Sequence, residues 1–293
     1  MDKGCYAAII TPFKKDNTFD ESGLKKNLKF LLENGCAGIV ACATTGESPV
    51  LSEEEYEEIT RICVEVAKGK VPVIIGAGTN STTKTIKLIH RAKEYGVDGV
   101  LVVTPYYSRP TQEGLYEHYR AISTESELPI IIYNVPGRTG TNILPKTVAR
   151  LANDCKNIVA IKEASGSLDQ VSEVVGLLGE DFDVLSGDDS LTLPMLALGA
   201  KGVISVIANI LPKDVATMCQ LFFEGKIDSA KKIHLKMFPL MKALFSETNP
   251  VPVKKAMELM GMPAGKPRLP LVEMSAENAI VLKNRLLEYG IEL

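Results

Sequence analysis

Eight apolar, β-rich runs recur at fairly even spacing between residues 6 and 209. They are YAAIITPF (6–13), GIVACA (38–43), VPVIIGAG (71–78), GVLVVTP (99–105), PIIIYNVP (129–136), IVAIKEAS (158–165), FDVLSGDD (182–189) and GVISVIAN (202–209). Their near-continuous apolarity is that of parallel strands covered on both faces, not of half-exposed strands, which alternate. Helical patterns separate them. Ser52 and Glu55 have capping-box spacing, Leu51 and Tyr56 fit a hydrophobic staple, and Tyr56, Ile59, Cys63 and Val66 follow on one helical face. Leu24, Leu28, Leu31 and Leu32 repeat the idea in the first connection. Three joints are also alike: GCAGIV (35–40), GVDGVL (96–101) and GAKGVI (199–204). In each, a glycine can close a helix in the left-handed conformation, and a strand starts three residues on. Eight such alternations predict an α/β protein, a (β/α)8 TIM barrel, a fold of typically about 250 residues.

An open, doubly wound sheet is the rival. Its glycine signature is missing, because GAGTNS (76–81) has Ser81 where G-x-G-x-x-G needs a third glycine. Beyond residue 210 helical patterns dominate, at 212–224, 227–246, 251–261 and 275–289, with Pro239 placed to kink the second. The first completes a barrel spanning 1–224, and the rest form a C-terminal helical extension, 225–293, packed on it. An apolar content of 45% and a charged content of 24% supply ample core material. The formal net charge of −3 gives no electrostatic case for a nucleic-acid or anionic-membrane partner. Cys5, Cys36, Cys42, Cys63, Cys155 and Cys219 form no C-x-x-C pair, so neither a zinc site nor a redox motif is indicated. Such sparse use points to reduced thiols and a cytoplasmic protein. The apolar segment Tyr6–Ile10 is too short for a signal peptide, and no run approaches a membrane span.

In a barrel of this kind the chemistry gathers at the C-terminal ends of the strands. What leaves the eight runs there is dominated by hydroxyls: Thr11, Thr44, Thr45, Ser48, Thr104, Tyr106, Tyr107, Tyr133, Ser186 and Ser205. One lysine lies inside a run, Lys162. Glu163 cannot be its same-face partner, because successive strand residues point to opposite sides. A lone strand lysine reads either as a side chain reaching out of the barrel mouth to a carboxylate, or as a nucleophile. The second reading needs a neutral amine. A free lysine titrates near pH ~10.4, so burial among apolar groups must depress it before it attacks a carbonyl. The product, a Schiff base, withdraws electrons from the adjacent carbon, so no metal or pyridoxal phosphate is called for.

Tyr133 reads as a rim tyrosine or as a proton shuttle. Thr44 and Thr45 read as turn chemistry, or as a relay hydroxyl beside a carboxylate-binding one. Arg138, in PGRTG (136–140), is either solvated or suited to bidentate recognition of a substrate carboxylate. Asp188 and Asp189 are adjacent and so unsuited to converge on one ion, and Asp189 is placed to cap the next helix. His90, His118 and His234 fall far apart on helical patterns. No metal and no histidine-based triad are expected.

Together these residues resemble the dihydrodipicolinate synthase family, within the pyruvate-dependent class I aldolase-like barrels that also include N-acetylneuraminate lyase. The similarity runs through the whole chain and is carried by TTGES (44–48), TPYY (104–107), YNVPGRTG (133–140), IKEASG (161–166), SGDD (186–189) and GVISV (202–206). The resemblance implies that Lys162 forms the Schiff base with pyruvate and that Tyr133, Thr44 and Tyr107 relay protons, Tyr107 being inserted from a neighbouring subunit. It implies that Thr45, Gly187 and the Ile204 backbone hold pyruvate. Arg138, which the sugar-acid lyases generally lack, would orient aspartate semialdehyde through its carboxylate. A homotetramer built as a dimer of dimers goes with it. Feedback-inhibited members bind lysine near residues that match Ser48, Asn80 and Tyr106, but their histidine pair and glutamate read here as Glu53, Tyr56 and Lys84. Weak or absent inhibition by L-lysine is therefore expected. The alternatives are a 2-keto-3-deoxy sugar-acid aldolase or N-acetylneuraminate lyase on the same barrel, and, in another class, a catalytically inactive ligand-binding barrel.

Overall fold

The computed structural model describes all of residues 1–293. Eight strands form in chain order: β1 (Gly4–Ala8), β2 (Gly38–Ala41), β3 (Val73–Gly76), β4 (Gly99–Val103), β5 (Ile130–Asn134), β6 (Ile158–Glu163), β7 (Asp183–Ser186) and β8 (Gly202–Ser205). Each pairs in parallel with its sequence neighbours, and β8 closes on β1 through Gly4↔Gly202 to Ala7↔Ser205. The closed (β/α)8 barrel with C-terminal helices is thus as expected. The strands themselves are shorter than the apolar runs. The ladder of the first stops at Ala8, whereas Ile9, Ile10 and Phe13 stay buried beyond it. Apolarity reports burial, and the loops over the barrel mouth are buried too.

Between the strands lie α1 (Glu21–Glu33), α2 (Glu53–Ala67), α3 (Thr82–Glu94), α4 (Gln112–Thr124), the single turn α5 (Pro136–Thr139), α6 (Pro145–Asp154), α7 (Leu168–Leu178) and α8 (Thr192–Ala197). The capping box on α2 is complete, with Ser52 accepting from the Glu55 N–H while the Glu55 carboxylate accepts from the Ser52 N–H. Gly35, Gly96 and Gly199 adopt φ of 81°, 75° and 110°, so all three repeated joints turn through the left-handed region that glycine alone enters without strain. After β8 come α9 (Pro212–Phe223), α10 (Ile227–Ala243), α11 (Val251–Leu259) and α12 (Ala276–Tyr289). The second of these runs through Pro239. The last three pack on one another and on α9 and α8, forming the appended helical region.

The core has two parts. The larger lies between the strands and the surrounding helices. The smaller fills the barrel and includes Tyr6, Val40, Ile74, Leu101, Ile131, Tyr133, Ala160, Leu185 and Ile204. This division fixes the direction of Lys162. Ala160, two residues earlier on β6, belongs to the interior, and Ile161 belongs to the outer layer. With a period of two along a strand, Lys162 points into the barrel.

Candidate active site

Lys162 is only 4% exposed, and its register partners on either side are Tyr133 and Leu185. Its Nζ sits 4.3 Å from the centre of the Tyr133 ring. It forms neither an ion pair nor a hydrogen bond within the chain. The reading in which a strand lysine reaches out to a surface carboxylate is therefore not what this lysine does. Glu163 faces the other way, as strand alternation requires. Its carboxylate accepts from Asn134 Nδ2, the Ser165 N–H and Gln170 Nε2, at 3.1, 2.7 and 2.8 Å. The face of an aromatic ring attracts a cation by about 0.5–2 kcal/mol, and here it lies against the one atom at which an ammonium or a protonated imine carries its charge.

Gly187 lies against this amine. A Cβ there would come 2.6 Å from Ala164 Cβ and 3.1 Å from Lys162 Cε. Glycine at this position is what leaves room for the lysine stem. Ile204, on β8 and 1% exposed, faces the same interior. Above the strands a cleft of about 510 Å³ opens, lined by Thr44, Ser48, Tyr106, Val103, Val135, Arg138 and Asn249 among others. A larger opening, about 640 Å³, lies around Lys3, Cys5 and Lys213 at the opposite end of the barrel, remote from Lys162.

Three of the sequence-derived candidates sit where the loops bend sharply. The turn after β2 holds Cys42 and Glu47 at φ of 50° and 56°, with Thr44 and the buried Thr45 between them. Tyr107 takes a φ of 72°, unusual for a bulky residue, and its side chain is 90% exposed. Within one chain it therefore does not meet Lys162. Arg138 is carried on α5, which Gly140 closes in the left-handed conformation. The expected glycine-rich turn is a helical turn, and it aims the Arg138 Nη2 at the Asn249 carbonyl, 3.2 Å away. Neither Tyr133 nor Thr44 uses its hydroxyl in a hydrogen bond within the chain, which leaves both free for a substrate.

The aspartate pair needs correcting. Asp188, not Asp189, is the cap: its carboxylate accepts from the Ser190 N–H at 3.0 Å. Asp189 turns inward and accepts from the N–H groups of Val206 and Ile207 at 3.0 and 2.9 Å. Burial pushes its carboxyl above the usual range, against the pull of those bonds. Either acid fits the spacing of a cap, and only the position of β8 decides between them. Asp189 thereby pins the backbone that leaves Ile204.

Two polar residues around the mouth, Lys254 and Asn249, escaped sequence reasoning, as did the pairing of Glu47. Lys254 and Glu47, each with a side chain 1% exposed, form an ion pair of 2.6 Å. Lys254 Nζ also donates to the carbonyls of Thr11 and Lys266, and the second Glu47 oxygen accepts from the Arg268 N–H. Desolvation lowers the Lys254 amine while Glu47 opposes the shift. Asn249 is buried and donates through Nδ2 to Thr45 Oγ1 at 3.0 Å. Apart from the Lys254–Lys266 bond, these contacts link residues 204 to 243 positions apart in the chain, and no local pattern announces them.

A closed (β/α)8 barrel that buries an unpaired lysine amine in its interior is the arrangement that a Schiff-base-forming lyase requires. The profile described as the dihydrodipicolinate synthetase family matches residues 1–288, and the chain belongs to that family. The resemblance read from the motifs is borne out. A 4-hydroxy-tetrahydrodipicolinate synthase from Geotalea uraniireducens is 53% identical over 291 residues, covering 99% of this chain and all of its own length. The dihydrodipicolinate synthase structure from Thermotoga maritima superposes with a TM-score of 0.98 at 48% identity, covering the whole of both chains. A structure described as the first monomeric dihydrodipicolinate synthase variant gives 0.97 at 48% identity, over 99% of this chain and 98% of its own.

Proposed function

We propose that this protein is a 4-hydroxy-tetrahydrodipicolinate synthase, condensing pyruvate with L-aspartate semialdehyde in lysine and diaminopimelate biosynthesis. The observation that carries the reading is the unpaired Lys162 amine, buried inside the barrel against the Tyr133 ring. Lys162 Nζ attacks the keto carbon of pyruvate and water leaves, giving an imine. The methyl carbon then loses a proton to give an enamine, which adds to the aldehyde carbon of the second substrate. The amino group of that substrate next attacks the imine carbon, closes the ring and displaces Lys162. The imine is itself the electron sink, so the chemistry calls for no cofactor.

Tyr133 and Thr44 move the protons, with hydroxyls free of other bonds. Thr45, Gly187 and the Ile204 backbone hold the pyruvate carboxylate, and Arg138 takes the carboxylate of the aldehyde through a bidentate, charge-assisted contact. Tyr107 completes the relay from a neighbouring subunit, in keeping with its exposure and strained backbone in a single chain. The working form is then a homotetramer, or at least a dimer. No helix is long and apolar enough to cross a membrane, in keeping with a cytoplasmic enzyme.

Arg138→Ala separates this reading from a sugar-acid aldolase. Hydrogen bonds to a charged group contribute about 1.5–3 kcal/mol, so kcat/KM for aspartate semialdehyde should fall by about 10–150-fold. Trapping of the pyruvate imine by borohydride should survive. Synthase turnover left intact would mean that the aldehyde has been wrongly assigned.

L-lysine is expected to leave turnover unchanged at sub-millimolar concentration. Tyr56 is fixed by donating to the Gly76 carbonyl at 3.0 Å, Glu53 is held by Arg91 at 2.7 Å, and Lys84 brings a positive charge where a ligand ammonium would need a carboxylate. Steady-state assays with added L-lysine check this. Inhibition in that range, abolished by substituting Asn80 or Tyr106, would overturn it.

A further inference from the structure

Asn249 lies between α10 and α11 and is 5% exposed. It touches both halves of the site just described. Its side chain donates to Thr45 Oγ1 at 3.0 Å, and its backbone carbonyl accepts from Arg138 Nη2 at 3.2 Å. Among the residues lining the cleft it is also the one with a buried polar atom lacking any partner, its Oδ1. A polar atom is seldom buried in this way without a positional reason.

The direction of the first bond matters. A threonine hydroxyl has a single proton and two acceptor sites. Here the amide donates, so Thr45 Oγ1 is the acceptor and its own proton must point elsewhere. Thr45 makes no other side-chain hydrogen bond in the chain. Its proton is left for a ligand.

The segment that carries Asn249 is also held from a second point. Lys254, five residues on, is clamped to Glu47, two residues beyond Thr45. Two buried rungs therefore join the same two segments. One of them carries charge, and the other sets the polarity of a hydroxyl.

We propose that Asn249 is a positioning residue. Its amide keeps the Thr45 hydroxyl as a one-way donor to the carboxylate of the keto acid, and its carbonyl holds the Arg138 guanidinium at the matching distance for the carboxylate of the aldehyde. The C-terminal helical region thus sets the spacing between the two carboxylates across the imine. The inference rests on the synthase reading given above.

A double-mutant cycle tests it, with KM and kcat measured for both substrates alongside borohydride trapping of pyruvate. Asn249→Ala should raise the KM for pyruvate about tenfold, the order expected for one hydrogen bond, and move the KM for the aldehyde less, because alanine keeps the backbone carbonyl that holds Arg138. Asn249→Asp has the same size but can only accept. It turns the Thr45 proton away from the site, and should raise the pyruvate KM at least as much. In a Thr45→Val background, Asn249→Ala should change the pyruvate KM by less than about twofold, because its route of action is already gone.

Effects that multiply in the double variant, or an Asn249→Asp enzyme with the wild-type pyruvate KM, would overturn the proposal. Should Asn249→Ala not fold, the same cycle run with Asn249→Asp gives the answer. Failure of the wild-type protein to form a pyruvate adduct would sink the synthase reading. A normal wild-type adduct together with a multiplicative cycle would sink only the role of Asn249.

Discussion

Lys162→Met is expected to lower turnover by at least about 10⁴-fold while leaving the protein as stable as before, or more so. Methionine keeps most of the length and volume of the side chain and removes the nucleophile. Loss of a nucleophile that acts as part of a unit has costs of this order or larger. Stability should not follow. Lys162 forms no ion pair and no hydrogen bond, so an apolar replacement leaves nothing unpaired in the barrel. Thermal unfolding and steady-state kinetics on the same preparation read both quantities. Residual turnover within tenfold of wild type would remove the imine from the mechanism. A large loss of stability would mean that the amine has a structural partner after all.

Lys254 should behave in the opposite way. Lys254→Met strips a buried carboxylate of its cation and leaves Glu47 with the Arg268 N–H as its remaining donor. Breaking a buried pair from one side costs about 3–5 kcal/mol, because the surviving charge stays out of water. Urea unfolding should show a loss of that size. Glu47→Gln combined with Lys254→Met should recover most of it, since neither site then carries a charge. The two buried lysines are distinguished by their partners. Lys254 has a carboxylate, two carbonyls and the Phe13 ring, whereas Lys162 has only the Tyr133 ring. A loss below about 1 kcal/mol for Lys254→Met would show that water reaches Glu47 and that the rung does not hold the C-terminal region to the mouth.

The barrel was legible in the sequence because its signals are local. Each strand announces itself by unbroken apolarity, and Gly35, Gly96 and Gly199 mark three returns from helix to sheet. Strand ends were less legible. Ile9 and Ile10 are as apolar as the strand before them, yet they belong to a buried loop. The same division runs through the site. Lys162 stands out because a strand lysine is anomalous wherever its neighbours avoid water. Arg138 stands out because it follows directly on a strand end. Lys254 sits on a helical pattern and Asn249 in the short link before it, with nothing unusual in their surroundings, and both acquire meaning only when the chain returns across 207 and 204 positions to meet Glu47 and Thr45. Asp189 shows the limit at short range. Two adjacent acids both fit the spacing of a cap, and the one that does not cap is drawn to N–H groups 17 and 18 residues away. Local spacing reveals which residues can act. The closure of the barrel decides which partner each one finds.

The proposed chemistry begins with attack of the Lys162 amine on a keto acid inside the barrel. Its most direct test is borohydride reduction of the wild-type protein with pyruvate, followed by peptide mass spectrometry. One stable adduct per chain is expected, on Lys162 alone, with the mass of a reduced pyruvate imine and dependent on both reagents. An unmodified Lys162, or label appearing instead on exposed lysines, would contradict it.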